Sequence, residues 1–253
     1  MSTARGKKYG LLGLLVMLIG LVVLANFWKS GLKVSRVTLE GNRIVEASEL
    51  FQLAGVQRGA RMYDVDLKAI QRNLLSQCYV KEAIVERNLP STIQLTVVER
   101  TPIALVNMTD FEYLDEDGVI LPHSISKELF DLPVLSGLKL GQSISFGTKV
   151  HDASALEALQ VLRGARLVNT ELYHLISEIQ IQDDHNMVFY TAEGGVPIFF
   201  GNGNVADKLV RLDAFWNQVI RERGLQNLQY VDLRYDDQVV VRWSNSVNKS
   251  KTM

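Results

Sequence analysis

The side chains that could do chemistry in this chain of 253 residues are few and poorly grouped. Asp115, Glu116 and Asp117 stand together, and adjacent carboxylates can begin a calcium site. The loop lacks the further spaced oxygens and the bidentate Glu of an EF-hand, so the cluster is expected to be a polar turn. Asp183, Asp184 and His185 make a second polar cluster. Without another His or Cys at a ligand spacing, it too reads as a hairpin turn. His123, His151, His174 and His185 form no HExxH pattern, and no GxSxG elbow presents a nucleophile. Cys78 is the only cysteine, which leaves it nothing to pair with inside the chain. Its neighbours from Ser76 to Lys81 announce no base, so it is expected to be a small buried apolar residue.

Gly201-Asn202-Gly203-Asn204-Val205-Ala206 follows an apolar stretch and opens a helical one, imitating the turn that seats a pyrophosphate on a helix N-terminus. A dinucleotide fold needs parallel strands joined by crossover helices, whereas the flanking segments here are hairpin-like. The glycines are expected to make a tight turn, with Asn204 capping the helix. No catalytic residue, metal ligand, cofactor or small-molecule substrate is therefore expected. The 27 basic and 28 acidic residues are interspersed without a basic stripe, which argues against nucleic acid.

What remains is the chemistry of binding. Tyr230 to Tyr235, a turn at Asp236-Asp237-Gln238, and Val239 to Trp243 predict a closing hairpin. Val239, Val241 and Trp243 share one face of its last strand, and Val240 and Arg242 the other. If that strand ends the sheet, it offers unpaired N–H and C=O groups, an aromatic anchor and a charge to an incoming strand. Judged on residues alone, Trp243 could equally cover the end of the core.

The elements that must carry this hairpin begin with an anchor. Tyr9 to Trp28 is apolar, with no charged side chain from Gly10 to Ala25. Roughly 18 to 20 helical residues cross the ~30 Å hydrocarbon core of a bilayer, so the run fits one crossing. Arg5, Lys7 and Lys8 precede it, Lys29, Lys33 and Arg36 follow it, and nothing later is apolar enough to cross again. The short tail is therefore expected in the cytoplasm and the body outside it. A cleaved signal peptide ending near Val23 and Ala25 is the competing reading; the run exceeds an h-region of about 7 to 15 residues, and bulky Phe27 and Trp28 follow.

In the body, Val34 to Glu40 predicts a strand and Glu46 to Ala54 a short helix stopped by Gly55. Asp64 or Asp66 caps a second helix, in which Leu67, Ile70 and Leu74 share a face. Val80 to Arg87 and Thr92 to Arg100 predict strands joined through Asn88-Leu89-Pro90-Ser91, with Ile93, Leu95, Val97 and Glu99 facing one way. The order β-α-α-β-β predicts a small sheet with two helices on one face and the other face open. Further on, a helix using Leu156, Leu159, Val161 and Leu162 precedes strands at Ile176 to Gln182, Met187 to Thr191 and Val196 to Gly201, then a helix over Ala206 to Arg223.

Val37 to Asn42, the helix pair, Arg87 to Ile93 and Glu99-Arg100-Thr101-Pro102-Ile103-Ala104 together resemble a POTRA domain. One such unit directly after a single anchor is similar to the bacterial FtsQ/DivIB family of cell-division proteins. Glu112 to Pro122, turning at Asp117-Gly118, resembles that family's first hairpin of the second domain, Leu132 to Gly137 the segment after it, and the terminal stretch its closing hairpin. The resemblance implies an α+β chain: cytoplasmic tail 1–8, transmembrane helix 9–28, linker 29–33, POTRA domain 34–102, mainly antiparallel β domain with flanking helices 103–243, and polar tail 244–253. It implies a non-enzymatic divisome scaffold at the septum of the bacterial inner membrane, with its body periplasmic. Its partners would be FtsB and FtsL, met by Arg234, Tyr235 and Trp243 at the family's positions together with Val239 and Val241 on the Trp243 face of the last strand, and another membrane division protein bound through the POTRA domain. The chain departs from the family at Asp237-Gln238, where a small residue often stands, and at Arg242. The alternative is a POTRA-containing secretion or outer-membrane assembly component, which should carry several POTRA units or a barrel.

Overall fold

A computed structural model describes residues 3–107, 110–123, 130–138, 145–182 and 185–244. Asp183, Asp184 and most of the polar tail expected over 244–253 lie outside the described residues. The chain divides into two compact units, Met1–Glu99 and Arg100–Met253.

In the first unit, α1 (Thr3–Gly31) contains the whole apolar run. Among the residues whose side chains are described, no helix is long and apolar enough to cross a membrane. The strand β1 (Arg36–Glu40) starts two residues later than expected, because Val34 is buried and gives its N–H to Ala60 O at 2.9 Å. In α2 (Ala47–Ala54) the chain stops at Gly55, whose φ of 60° is left-handed. The helix α3 (Leu67–Leu75) is capped by Asp66, which accepts the N–H of Ala69 at 3.0 Å and so decides between the two candidate caps. Strands β2 (Val80–Asn88) and β3 (Thr92–Glu99) pair antiparallel, and β1 pairs parallel to β3, giving the order β1-β3-β2. Leu50, Ala54, Ile70 and Leu74 of the helices are buried, as are Ala83, Ile93, Leu95 and Val97 of the sheet. Glu99, on the same strand face, accepts the N–H groups of Arg43, Ile44 and Val45 at 2.9, 2.6 and 3.0 Å, tying the loop before α2 to the sheet. Cys78 is half-buried rather than buried, with its Sγ 3.2 Å from Gln77 Oε1.

The second unit is built on a nine-stranded sheet. Its strands are β4 (Pro102–Asn107), β5 (Phe111–Asp115), β6 (Ile120–Leu121), β7 (Val134–Ser136), β8 (Ile176–Ile181), β9 (Met187–Thr191), β10 (Pro197–Gly201), β11 (Leu228–Asp232) and β12 (Val240–Trp243). They lie in the order β12-β11-β10-β9-β8-β7-β4-β5-β6. Pairs β10/β11, β7/β8 and β4/β7 are parallel and the remainder antiparallel. The helices are α4 (Ala153–Val168), α5 (Thr170–Leu175) and α6 (Val205–Phe215), and the core includes Leu159 and Leu162 of α4, Leu209 and Leu212 of α6, and Phe189 and Phe200 of the sheet. Gly164 lets α4 and α6 approach, since a Cβ there would stand 2.7 Å from Leu209 Cδ1.

Two expectations about these helices fail. Leu156 is exposed, because the buried stripe of α4 runs through Ala155, Ala158, Leu159, Leu162 and Ala165, and a 3.6-residue period leaves position 156 outside it. The predicted helix from Ala206 to Arg223 is not α-helical throughout. It passes at Trp216–Ile220 into a π-helical turn and ends in α7 (Arg221–Arg223). The wider turn resets the direction in which the last residues point.

Candidate functional site: the terminal sheet edge

The strand β12 is the outermost of the nine, so one side of its backbone has no neighbouring strand among the described residues. Its inner side pairs with β11 through Tyr230↔Arg242, Val231↔Val241 and Asp232↔Val240, with Leu228↔Trp243 beyond an irregularity. The turn before it has a left-handed residue, Asp237, at φ 58°. Arg211 of α6 donates from Nη1 to Tyr235 O at 2.8 Å and to Gln238 O at 3.0 Å, fastening this turn to the helix. At the far end the Arg223 guanidinium carbon lies 3.9 Å from the Trp243 ring centre, and Ser244 gives its N–H to Asn227 O at 2.7 Å. The short edge strand is thus held at both ends.

Of the residues singled out in sequence, Val239, Val241 and Trp243 are partly buried and pack against the core, so their common face is the inner one. Arg242 is exposed on the other. Tyr235 is 51% exposed beside the turn. Arg234 clasps Asp232, donating from Nε to Oδ1 at 2.9 Å and from Nη2 to Oδ2 at 2.6 Å, while its guanidinium lies 5.0 Å from the Phe199 ring centre. Asp232 is buried. Burial pushes its carboxyl up, but the hydrogen bonds and charge of Arg234 outweigh this and hold it below the usual carboxylate range. Arg234 and Tyr235 therefore sit at the turn end of the hairpin and Trp243 at the opposite end, with the two valines between.

The glycine-rich turn resolves as a structural device. Lys208, only 5% exposed, donates to Phe200 O at 2.8 Å and Asn202 O at 2.7 Å. Burial, and then the nearby Arg211 charge, push its amine below the ordinary lysine range. Gly203 N–H, one of the donors a phosphate would use, is given to Glu157 Oε1 at 2.7 Å. Asn204 occupies the cap position at φ 49° without a side-chain cap bond. The acidic cluster at Asp115–Asp117 is also a turn. Asp115, 1% exposed, accepts from Arg100 at 2.7 Å, Asp117 N at 2.9 Å and Val119 N at 2.7 Å. His185 takes a left-handed φ of 62° with Nδ1 2.7 Å from the Ser154 hydroxyl oxygen. Among the described residues no group of three or more His, Cys, Asp or Glu is placed to hold a metal.

Residues 32–100 match the family described as POTRA domain, FtsQ-type, and residues 104–234 match that described as Cell division protein FtsQ/DivIB, C-terminal. The chain belongs to the FtsQ/DivIB family. It is 31% identical to the cell division protein FtsQ of Geobacter sp. (strain M21), over 85% of this chain and 80% of that one. It is also 31% identical to the FtsQ of Salinibacter ruber, over 91% and 90% of the two chains, and 28% identical to that of Rhodothermus marinus, over 95% and 89%. Membership in FtsQ/DivIB makes this a cell-division protein with a scaffold role in the division machinery. The C-terminal match ends at 234, so Arg234 falls inside it, while Tyr235, Val239, Val241 and Trp243 lie beyond. Sequence reasoning missed Arg211 and Arg223; Arg211 meets its turn carbonyls across 24 and 27 residues, a separation with no local signature.

Proposed function

We propose that this protein is an inner-membrane divisome scaffold that receives FtsB, in complex with FtsL, as a strand added to β12. The observation that carries the reading is the position of β12 as the outer strand, with its backbone open along one side among the described residues. Exposed Tyr235 and Arg242 supply an aromatic contact and a charge beside that edge, and the half-buried Trp243 offers a rigid wall at its end. Arg234, Val239 and Val241 hold the hairpin in the shape the incoming strand meets. Catalysis has no part in this role.

The anchor is the helix over 9–28, with tail 1–8 in the cytoplasm, linker 29–33, and POTRA domain 34–102 and β domain 103–243 in the periplasm. Its support is that Leu14 to Ile19, Leu21, Val23, Leu24, Phe27 and Trp28 are each more than half exposed, a helix apolar all round that suits hydrocarbon and not water. Purified Val34 to Met253 is expected to capture an FtsB/FtsL complex. Tyr235→Ala or Trp243→Ala should weaken capture by about tenfold or more, the loss typical of an aromatic hot spot. Undiminished capture by both variants would remove the terminal-edge mechanism.

A further inference from the structure

The POTRA sheet has one face that its helices leave open. On it the register places Glu82 beside Val98, Thr96 between Glu40 and Ile84, and Gln94 between Thr38 and Glu86. Ile84 is 53% exposed and Val98 47%, and Glu40, Glu82 and Glu86 are exposed around them. Among the described residues the carboxylates of these three glutamates make no hydrogen bond or ion pair. Basic residues on these strands include Lys81, before Glu82 at the irregularity in β2, and Arg36, opposite Thr92 in the row next to that of Thr38, Gln94 and Glu86. Gln94 is already bonded to Asn88.

Three like charges collected around two exposed branched apolar side chains do nothing for the isolated sheet, where cross-strand pairs of opposite charge would stabilise it. They define a surface with an apolar centre and an acidic rim. Anionic lipid headgroups would be repelled by that rim. A second copy placed face to face by a two-fold axis would set glutamates against glutamates. Glu82 and Glu86 are about 13 Å apart along the strand, a span that long Lys or Arg side chains two turns, about 11 Å, apart on one helix face can reach. We propose that this face, centred on Ile84 and Val98 and rimmed by Glu40, Glu82 and Glu86, docks a basic amphipathic helix of a partner protein. Apolar side chains of that helix cover Ile84 and Val98, and Lys or Arg residues about two turns apart reach the carboxylates.

The test uses the full chain in dividing cells with a photo-reactive phenylalanine at Ile84, and reads the linked peptide by mass spectrometry. The expected adduct is a segment with apolar residues and Lys or Arg recurring at helical spacing. Its yield should fall about tenfold in the triple variant Glu40→Lys, Glu82→Lys, Glu86→Lys, and by less in the triple Glu→Gln variant. Thermal unfolding unchanged from the parent shows that the variants fold. An adduct to lipid, to a second copy or to an acidic segment, no adduct, or a yield indifferent to both triple variants overturns the proposal. FtsB/FtsL capture should be the same in all these proteins. Its failure in the parent would sink the terminal-edge reading and leave this one standing on its own adduct.

Discussion

At the scale of single residues, the terminal hairpin depends on charges that spend their hydrogen bonds inside the protein. Arg234 was expected to meet a partner, and its guanidinium is engaged with Asp232 and lies over Phe199. Because Asp232 titrates in the fold below its ordinary value of 3.8, its ionised form contributes stability that is present above about pH 4 and lost as pH falls through the depressed folded value. Arg234→Ala removes the side-chain hydrogen bonds and charge that lower it and leaves burial, which raises it, opposed by the backbone N–H of residue 234 and the Lys208 charge. The Asp232 titration, followed by carboxyl-carbon NMR, should therefore move upward, and acid destabilisation should begin at a higher pH. An unmoved titration would mean that Arg234 does not control this carboxylate. Lys208 works in the same internal way, closing the Gly201–Asn204 turn by its bonds to Phe200 O and Asn202 O.

At the scale of elements, close backbone approaches fix how strands meet the chain around them. Gly41, just after β1, has φ 89°, and a Cβ there would stand 2.0 Å from Val97 O of β3. An alanine must push the two segments apart and adopt a left-handed conformation, so Gly41→Ala should destabilise the first unit by more than about 2 kcal/mol. Hydrogen exchange should show faster opening of β1 and β3 with β8 to β11 unchanged; equal protection in β3 would refute the account. The β-α-α-β-β order was legible because each piece has a local mark: Gly55 after α2, the Asp66 cap of α3, and alternation along β3. The choice of Asp66 over Asp64, and the π-helical turn at Trp216–Ile220, had none.

For the whole molecule, the orientation of α1 sets which side of a membrane the sheet edge faces. If α1 is an uncleaved anchor with its N-terminus inside, the full chain should stay in the membrane fraction after alkaline wash. Protease added from the periplasmic side should then degrade Val34 to Trp243 and leave a protected fragment that includes Tyr9 to Trp28. Recovery of the mature body from the soluble fraction would instead indicate cleavage near Ala25.

The sequence by itself determined the division into an apolar run and a folded body, the POTRA order, and the presence of a closing hairpin. Those depend on local periodicity, on turn-forming residues and on charge, all of which are written within a few positions of one another. Only the tertiary structure decided that β7 lies between β4 and β8 and that the hairpin ends the sheet with β12 outermost. It also decided that Trp243 faces inward beneath Arg223 and that Arg211 holds the turn. Such pairings join residues tens of positions apart, and are selected by how nine strands and their helices share one core rather than by any pattern along the chain.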